Sequence, residues 1–364
     1  MRIVATKKDL AAALASAGRI ASAKATMPVL SMVRLTAAET GVELAATDME
    51  LSVRLPVEAS VEESGSVLLP RVASDIVRSL ADGPVTIEHR AGEGVATLSG
   101  GNSSFTLNCL QAADYPELPD VSSAESEVPA EEFLATAERV GKAASRDEMR
   151  PVLTGVLLRL AGTEAVMVAT DSYRLAVDRA AVPDQGESVT EAIVPARALA
   201  ELARLADGQG ALRVALADNQ ASFALGDTRL TSRLIDGQFP DYNQLIPDEF
   251  DHDLVLDRAE LLGVLGRIGI LAQRGTPVRL AFETGTLTVS ATQSELGEGS
   301  ESIPVAFEGE AFEVGFNVEF LRAGVESLDG EEVRLGLISP LRPGLLRGEG
   351  DDYRYLLMPI RLNT

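Results

Sequence analysis

Apolar positions along the chain switch between a helical and a strand period, and the order of the switches repeats three times. A helix-period face opens each copy: Leu10, Leu14 and Ile20; then Phe133, Ala137 and Val140; then Leu261, Leu262, Leu265, Ile268 and Leu271. Acidic residues stand at or just before these faces (Asp9, Glu131, Asp257), where they favour a helix start. Pro28, Pro151 and Pro277 then turn the chain out of helix, because the residue before a proline is pushed to extended geometry. Next come apolar runs (Val42-Glu43-Leu44, Val166-Met167-Val168, Leu287-Thr288-Val289), each leading into a polar corner and another strand. The corners are Thr47-Asp48-Met49-Glu50, Thr170-Asp171-Ser172-Tyr173 and Thr292-Gln293-Ser294-Glu295. Their threonines are 123 and 122 residues apart, and only the middle corner continues as Tyr-Arg-Leu.

A second, shorter helix is predicted in each copy, stopping at Asp82-Gly83, Asp207-Gly208 and Asp329-Gly330, where glycine supplies the left-handed cap. The six predicted helices are 7–24, 71–80, 131–150, 197–206, 257–274 and 317–328. More alternating strands close each copy, through Tyr115-Pro116-Glu117, Phe239-Pro240-Asp241-Tyr242 and the C-terminus. Each unit reads as helix, strands, helix, strands, an α+β layer arrangement too long for a solenoid repeat. Linkers at Val121–Pro129 and Pro247–Asp253 give three domains: 1–124, 125–249 and 250–364.

Composition narrows the function. No apolar run reaches membrane-spanning length and the N-terminus lacks a signal-peptide core, so a soluble cytoplasmic protein is expected, with no membrane partner. The lone Cys109 excludes an internal disulfide framework and reads as a small buried hydrophobe. His89 reads as an exposed strand residue and His252 as part of an acidic linker; neither has a nucleophile at motif spacing. Gly92-Glu93-Gly94 and Gly297-Glu298-Gly299 read as hairpin turns, and Glu62-Glu63 and Asp351-Asp352 as solvated ones. With no phosphate loop, dinucleotide fingerprint or metalloprotease motif, no catalysis, metal or cofactor is expected.

A net charge of −23 argues against nucleic acid until the charges are placed. The six predicted helices hold 16 of the 32 Lys+Arg but only 12 of the 55 Asp+Glu. Within them Arg139, Lys142, Arg146 and Arg150 are spaced to share one helix face, while Arg71 with Arg78 and Arg197 with Arg204 lie two turns apart. Lys24 and Arg150 fall near helix ends, where dipole complementarity is the competing explanation, as is ion pairing of Arg71 with Asp75 and of Arg197 with Glu201. A basic helical layer on an acidic molecule suits sequence-blind phosphate contact.

The triple repeat, Thr170-Asp171-Ser172-Tyr173-Arg174-Leu175-Ala176, Phe239-Pro240-Asp241-Tyr242, Phe316-Asn317 and the terminal Leu356-Leu357-Met358-Pro359-Ile360-Arg361-Leu362 together resemble the bacterial sliding clamp family, the β subunit of DNA polymerase III, over the full chain. Ser172 and Tyr173 stand where that family often has Gly and His, and Ile360 where Met is common. The resemblance implies a homodimeric ring of six domains, helices inside and sheets outside, encircling duplex DNA. It implies as partners DNA polymerase III and other polymerases, the clamp loader and repair proteins, all docking by linear peptides. Lys24, Arg71, Arg78, Lys142, Arg146, Arg150, Arg197 and Arg204 would face the DNA. The peptide pocket would draw on Leu153, Thr170, Ser172, Tyr173, Leu175, Pro240, Leu245, Phe320, Leu341, Pro343, Leu356, Met358, Pro359, Ile360 and Leu362, with Arg174, Asn317 and Arg361 fixing peptide backbone or carboxylate. The alternative is a peptide-binding adaptor without a DNA hole, its helix cations merely matched to helix dipoles.

Overall fold

The computed structural model describes residues 1–362 apart from 23–26, 91, 122, 124, 187–188, 207–209, 273–275 and 351. Lys24, Gly208 and Asp351 therefore lie outside the described residues. Copy one runs β1 (Arg2–Thr6), α1 (Lys7–Ile20), β2 (Met32–Ala38), β3 (Gly41–Thr47), β4 (Leu51–Val57), β5 (Ala59–Glu63), β6 (Gly65–Pro70), α2 (Val72–Ser79), β7 (Pro84–His89), β8 (Val95–Gly100) and β9 (Ser103–Asn108). Copy two runs β10 (Glu125–Pro129), α3 (Ala130–Gly141), β11 (Gly155–Ala161), β12 (Glu164–Thr170), β13 (Arg174–Ala181), β14 (Val189–Pro195), α4 (Ala196–Leu205), β15 (Ala211–Leu216), β16 (Gln220–Leu225) and β17 (Thr228–Arg233). Copy three runs β18 (His252–Asp257), α5 (Arg258–Ile268), β19 (Val278–Glu283), β20 (Thr286–Gln293), β21 (Gly297–Pro304), β22 (Phe312–Phe316), α6 (Val318–Glu326), β23 (Glu332–Leu337), β24 (Gly344–Arg347) and β25 (Arg354–Leu357).

The chain packs as two compact units, Met1–Glu131 with Glu201–Leu234, and Glu132–Ala200 with Ile235–Thr364. The first holds a sheet ordered β5-β1-β7-β8-β9 and an eight-stranded sheet ordered β10-β15-β16-β17-β4-β3-β2-β6. The second holds an eight-stranded sheet ordered β14-β11-β12-β13-β25-β24-β23-β18 and a smaller one ordered β21-β20-β19-β22. Copy two thus gives strands to both units. β17 pairs with β4 of copy one (Leu230 opposite Val53), and β13 pairs with β25 of copy three (Leu175 opposite Leu356). β2 alternates buried and half-buried positions along its length, as expected for a sheet with one face on a core.

Helix faces fall as their spacing predicts. α1 buries Leu10, Leu14, Ala17 and Ile20, and the Thr6 hydroxyl caps it by accepting from the Asp9 N–H at 3.1 Å, a bond worth about 1 kcal/mol. Asp257 caps α5 by accepting from the Glu260 N–H at 2.7 Å, and Asn317 caps α6 by accepting from Glu319 and Phe320. Helix ends differ from the prediction. α1 stops at Ile20 and α5 at Ile268, whose following Gly269 closes the last turn onto Leu265.

The largest correction is α3, which ends at Gly141 rather than running to residue 150. Beyond it the Ser145 N–H donates to the Leu153 carbonyl at 2.8 Å and the Asp147 N–H donates to the Ser145 hydroxyl at 3.1 Å. Local serine and aspartate bonds of this kind compete with helix continuation. Arg139, Lys142, Arg146 and Arg150 therefore do not share a helix face: Arg139 turns inward to Asp178 at 2.6 Å, and the other three lie past the helix end.

Two smaller readings also change. Gly297–Gly299 begins strand β21, and the turn lies at residues 294–296. His252 begins β18 instead of sitting in a solvated linker, and its ring stacks on Phe312 at 4.8 Å and meets Phe307 edge-on at 5.3 Å. Cys109 is buried, which pushes its thiol pKa up, as its reading as a small hydrophobe expects. No described helix is long and apolar enough to cross a membrane.

Candidate functional site

The middle corner is built by two side chains. The Thr170 hydroxyl donates to the Arg174 carbonyl at 2.6 Å and accepts from the Ser172 N–H at 3.1 Å. One oxygen of Asp171 accepts the N–H groups of Tyr173 and Arg174 at 2.9 and 3.0 Å. These bonds replace a strand ladder where the chain reverses, and they hold Ser172 at φ 79°, a left-handed conformation that L residues seldom adopt. Tyr173 is thereby turned outward and is 61% exposed.

The second Asp171 oxygen accepts from Arg174 Nε at 2.9 Å. Arg174 Nη1 donates to the Tyr355 hydroxyl at 3.3 Å, and the guanidinium lies 4.2 Å from the centroid of the Phe320 ring. Burial works against the charge of Arg174, but Tyr355 and Asp171 outweigh it and hold its pKa above the ordinary value. Tyr355 is fully buried, and burial pushes its pKa up to about 12, against the opposing pull of Arg174. Arg174 is therefore locked by three groups of its own chain.

Register carries the C-terminal tail past this corner. Arg174 pairs opposite Leu357, the Met358 N–H donates to the Tyr173 carbonyl at 2.8 Å, and the Ile360 N–H donates to the Gly315 carbonyl at 2.7 Å. A Cβ on Gly315 would meet Leu362 Cδ2 at 2.7 Å, so glycine lets the tail lie flat on β22. Under the corner, Leu175, Leu356, Leu345 and Phe239 share one buried cluster, with Val152, Tyr242 and Ile246 packed against it.

Exposed apolar side chains occur on the segments this cluster gathers: Leu245 and Met358 about half exposed, Leu341 at 63%. Leu153, Pro343, Pro359, Ile360, Leu362 and Phe320 are half-buried, Thr170 is buried, and Pro240 and Arg361 are exposed. Of the predicted pocket residues, Leu175 and Leu356 share the buried cluster, and Leu153 and Leu245 adjoin Val152 and Ile246, which pack against it. An apolar floor with exposed Leu, Met and Tyr side chains suits a short apolar peptide, and thioether and hydrocarbon groups adapt to varied partners.

Two polar assignments change in character. Asn317 spends its carbonyl oxygen on capping α6, and Arg174 is committed to Asp171 and Tyr355. Arg150, expected to face DNA, donates from Nη1 to the Ser172 hydroxyl at 3.2 Å and from Nε to Asp147 at 3.1 Å, which sets it beside the corner. Tyr355 and Asp171 carry much of the geometry; Tyr355 is not singled out from the sequence, and Asp171 stands out there only as part of the corner, not as a site residue. Alternation of Tyr353 and Tyr355 in the tail strand is the signal that could have found the first.

The helix cations are a looser set. Arg71, Arg146 and Arg197 are exposed, and Lys142 Nζ donates to the Ser327 hydroxyl at 3.4 Å. Arg78 pairs with Asp75, and Arg204 with Glu201 at 2.5 Å. Glu201 is buried and also accepts from Arg19 at 2.8 Å. Asp75 thus pairs with the arginine that follows it, where the spacing suggests the one before.

Family models of the DNA polymerase III beta subunit match consecutively: the N-terminal domain over residues 1–119, the central domain over 127–241 and the C-terminal domain over 243–361. The chain is 35% identical to the beta sliding clamp of Streptomyces coelicolor over 378 aligned residues, and 35% identical to that of Synechococcus elongatus over 381, with all of each chain covered. Among solved structures it resembles the DNA polymerase sliding clamp of Bacillus subtilis (TM-score 0.91, 27% identity) and the sliding clamp of Pseudomonas aeruginosa bound to griselimycin (TM-score 0.90, 29% identity), again over the whole of each chain. Three α+β domains in series, matched by consecutive family models over most of the chain and by the two clamps named above over all of it, place this chain in the beta sliding clamp family of DNA polymerase III.

Proposed function

We propose that this chain is a processivity clamp whose three domains (1–124, 125–249 and 250–364) join those of a second copy in a six-domain ring around duplex DNA. The full-length match to the clamp family carries this reading. In it the chain catalyses nothing and works in the cytoplasm. It holds DNA by topology, so weak contacts from Arg71, Arg146, Arg197 and their neighbours suffice, and an acidic exterior keeps DNA from adhering elsewhere. Replicative and repair polymerases and the clamp loader dock by short apolar peptides on the surface formed by the middle corner, the Phe239–Leu245 segment and the C-terminal tail. A sliding clamp of this fold has been solved bound to griselimycin, which supports a ligand-binding surface on it.

Two sheet ends support closure of the ring. β9 and β21 each terminate a sheet, and both carry mostly exposed side chains, with Phe105 on β9 and Leu296 just before β21 among the exposed apolar residues. Unpaired edges of this length invite another strand. Pairing β9 of one copy with β21 of the other joins the copies head to tail and covers both edges.

Retention on nicked circular DNA tests the whole reading, with a bacterial clamp loader and ATP, before and after the circle is cut. A clamp stays on the circle and is lost from the linear form. Equal retention on both forms would mean an ordinary binding site and would sink the encirclement.

A further inference from the structure

Behind the corner, four groups from separate elements form one chain of polar contacts. The Asp171 carboxylate accepts from Arg174 Nε, Arg174 Nη1 donates to the Tyr355 hydroxyl, and that hydroxyl donates to the Phe320 carbonyl at 3.0 Å. Phe320 lies in the first turn of α6, where the Asn317 cap also takes its N–H, and its ring forms the face under the guanidinium. One hydroxyl on β25 therefore ties the corner to α6. The approach is enforced sterically, since a Cβ on Gly324 would fall 2.5 Å from the Tyr355 ring and 2.7 Å from Leu346 Cδ1. Only glycine there lets α6 close on the tyrosine.

An arginine side chain left to itself samples many rotamers, and fixing it at the moment of binding costs affinity. Here the fixing is done in advance. Tyr355 is fully buried and offers the peptide no surface, so it cannot act as a contact residue. Its hydroxyl both accepts from the guanidinium and donates to a carbonyl, which sets the direction of each bond and leaves one orientation for Arg174.

We propose that Tyr355 is a positioning residue for peptide capture: it holds the Arg174 guanidinium between Asp171 and the Phe320 ring, so that the corner, the tail and α6 present one preformed surface. This rests on the reading of that surface as the docking site. Tyr355→Phe keeps the ring and its packing while removing both hydrogen bonds of the hydroxyl. Affinity for griselimycin, measured by calorimetry on the full-length protein, should fall roughly tenfold, the lower end of what one hydrogen bond to a charged group contributes. A thermodynamic cycle separates positioning from general loosening. In an Arg174→Ala background the same Tyr355→Phe change should cause no further loss, because the group it orients is gone.

Wild-type affinity in Tyr355→Phe, or losses that multiply in the double variant, would overturn the proposal. If the double variant unfolds, Arg174→Lys takes its place: lysine keeps the charge but cannot bond Asp171 and Tyr355 together, so the tyrosine's effect should again disappear. Absence of griselimycin binding to the wild-type chain would instead defeat the docking surface itself, and the positioning role with it. Retention of the wild-type chain on circular DNA tests the clamp reading separately, so failure of that reading and failure of the positioning role are told apart.

Discussion

The chain builds the same corner twice and uses it differently. At Thr47–Leu51 the Thr47 hydroxyl donates to the Leu51 carbonyl and accepts from the Met49 N–H, both at 3.0 Å, while Asp48 accepts from Glu50 and Leu51 at 3.1 and 2.8 Å. Thr170 and Asp171 make the matching bonds, and the third residues sit at nearly equal φ, 77° at Met49 and 79° at Ser172. The frame is common, and its substituents are not. Where copy two has Arg174, copy one has Leu51, which is buried and ends the matter in a core. Each corner is also met by a distant tyrosine: the Thr47 N–H donates to the Tyr115 hydroxyl at 2.9 Å, whereas Tyr355 takes a guanidinium. Thr-Asp at such a corner is therefore an architectural signature, and the two corners differ in what the frame projects.

Removing the aspartate from each corner should separate the two roles most strongly. Asp171→Ala strips two backbone N–H groups of their acceptor and leaves a mostly buried guanidinium short of its carboxylate, a loss of about 3 kcal/mol or more. Asp48→Ala strips the N–H groups of Glu50 and Leu51 of their acceptor and should cost about 1–2 kcal/mol. Urea unfolding midpoints measure both. Griselimycin binding should be lost only in Asp171→Ala; equal loss in both variants would mean that the frame, and not Arg174, governs the surface.

How much of this was legible beforehand follows the same division. Repeated Thr-Asp corners, helix faces such as Leu10-Leu14 and the strand alternation around them are local signals, and they carried the three-copy architecture. The ends of α3 were misread because basic residues at helical spacing continue past Gly141, while the bond from Ser145 to Leu153 that breaks the helix depends on a partner eight residues away. The corner and tail motifs nominate the pocket residues, and they present Arg174 and Asn317 as free ligands for a peptide. Their actual partners, Tyr355 and the α6 N–H groups, come from strand register and a cap. Tertiary pairing of that kind leaves only a faint mark on the linear sequence.

The two tyrosines sharpen the comparison through pH. Burial raises the pKa of both Tyr115 and Tyr355, the latter to about 12. Below about pH 10 each phenol is protonated in folded and unfolded chains alike, and its contribution is fully present. Between about pH 10 and 12 the unfolded chain releases a proton that folded Tyr355 keeps, so stability falls as pH rises, by about 2–3 kcal/mol in total. Tyr355→Phe should flatten part of this alkaline decline in unfolding midpoints. Tyr115→Phe should flatten it as well but leave griselimycin affinity untouched, since its hydroxyl accepts from the Thr47 N–H of the other corner.

The smallest expected effect lies at the strained third position of each corner. An L residue in the left-handed region costs roughly 1 kcal/mol relative to glycine, partly offset by the greater freedom glycine has when unfolded. Met49 is about half exposed, so Met49→Gly gives up little packing and should stabilise by a few tenths to about 1 kcal/mol. Ser172→Gly relieves the same backbone but also removes the hydroxyl that Arg150 donates to. That bond is exposed and worth about 0.5 kcal/mol at most, so the gain at 172 should be smaller than at 49 by that amount. A gain at 172 equal to that at 49 would show that the Arg150 bond holds nothing in place. A smaller gain accompanied by weaker griselimycin binding would make Arg150 part of the proposed docking surface and remove it from the cations proposed to face DNA.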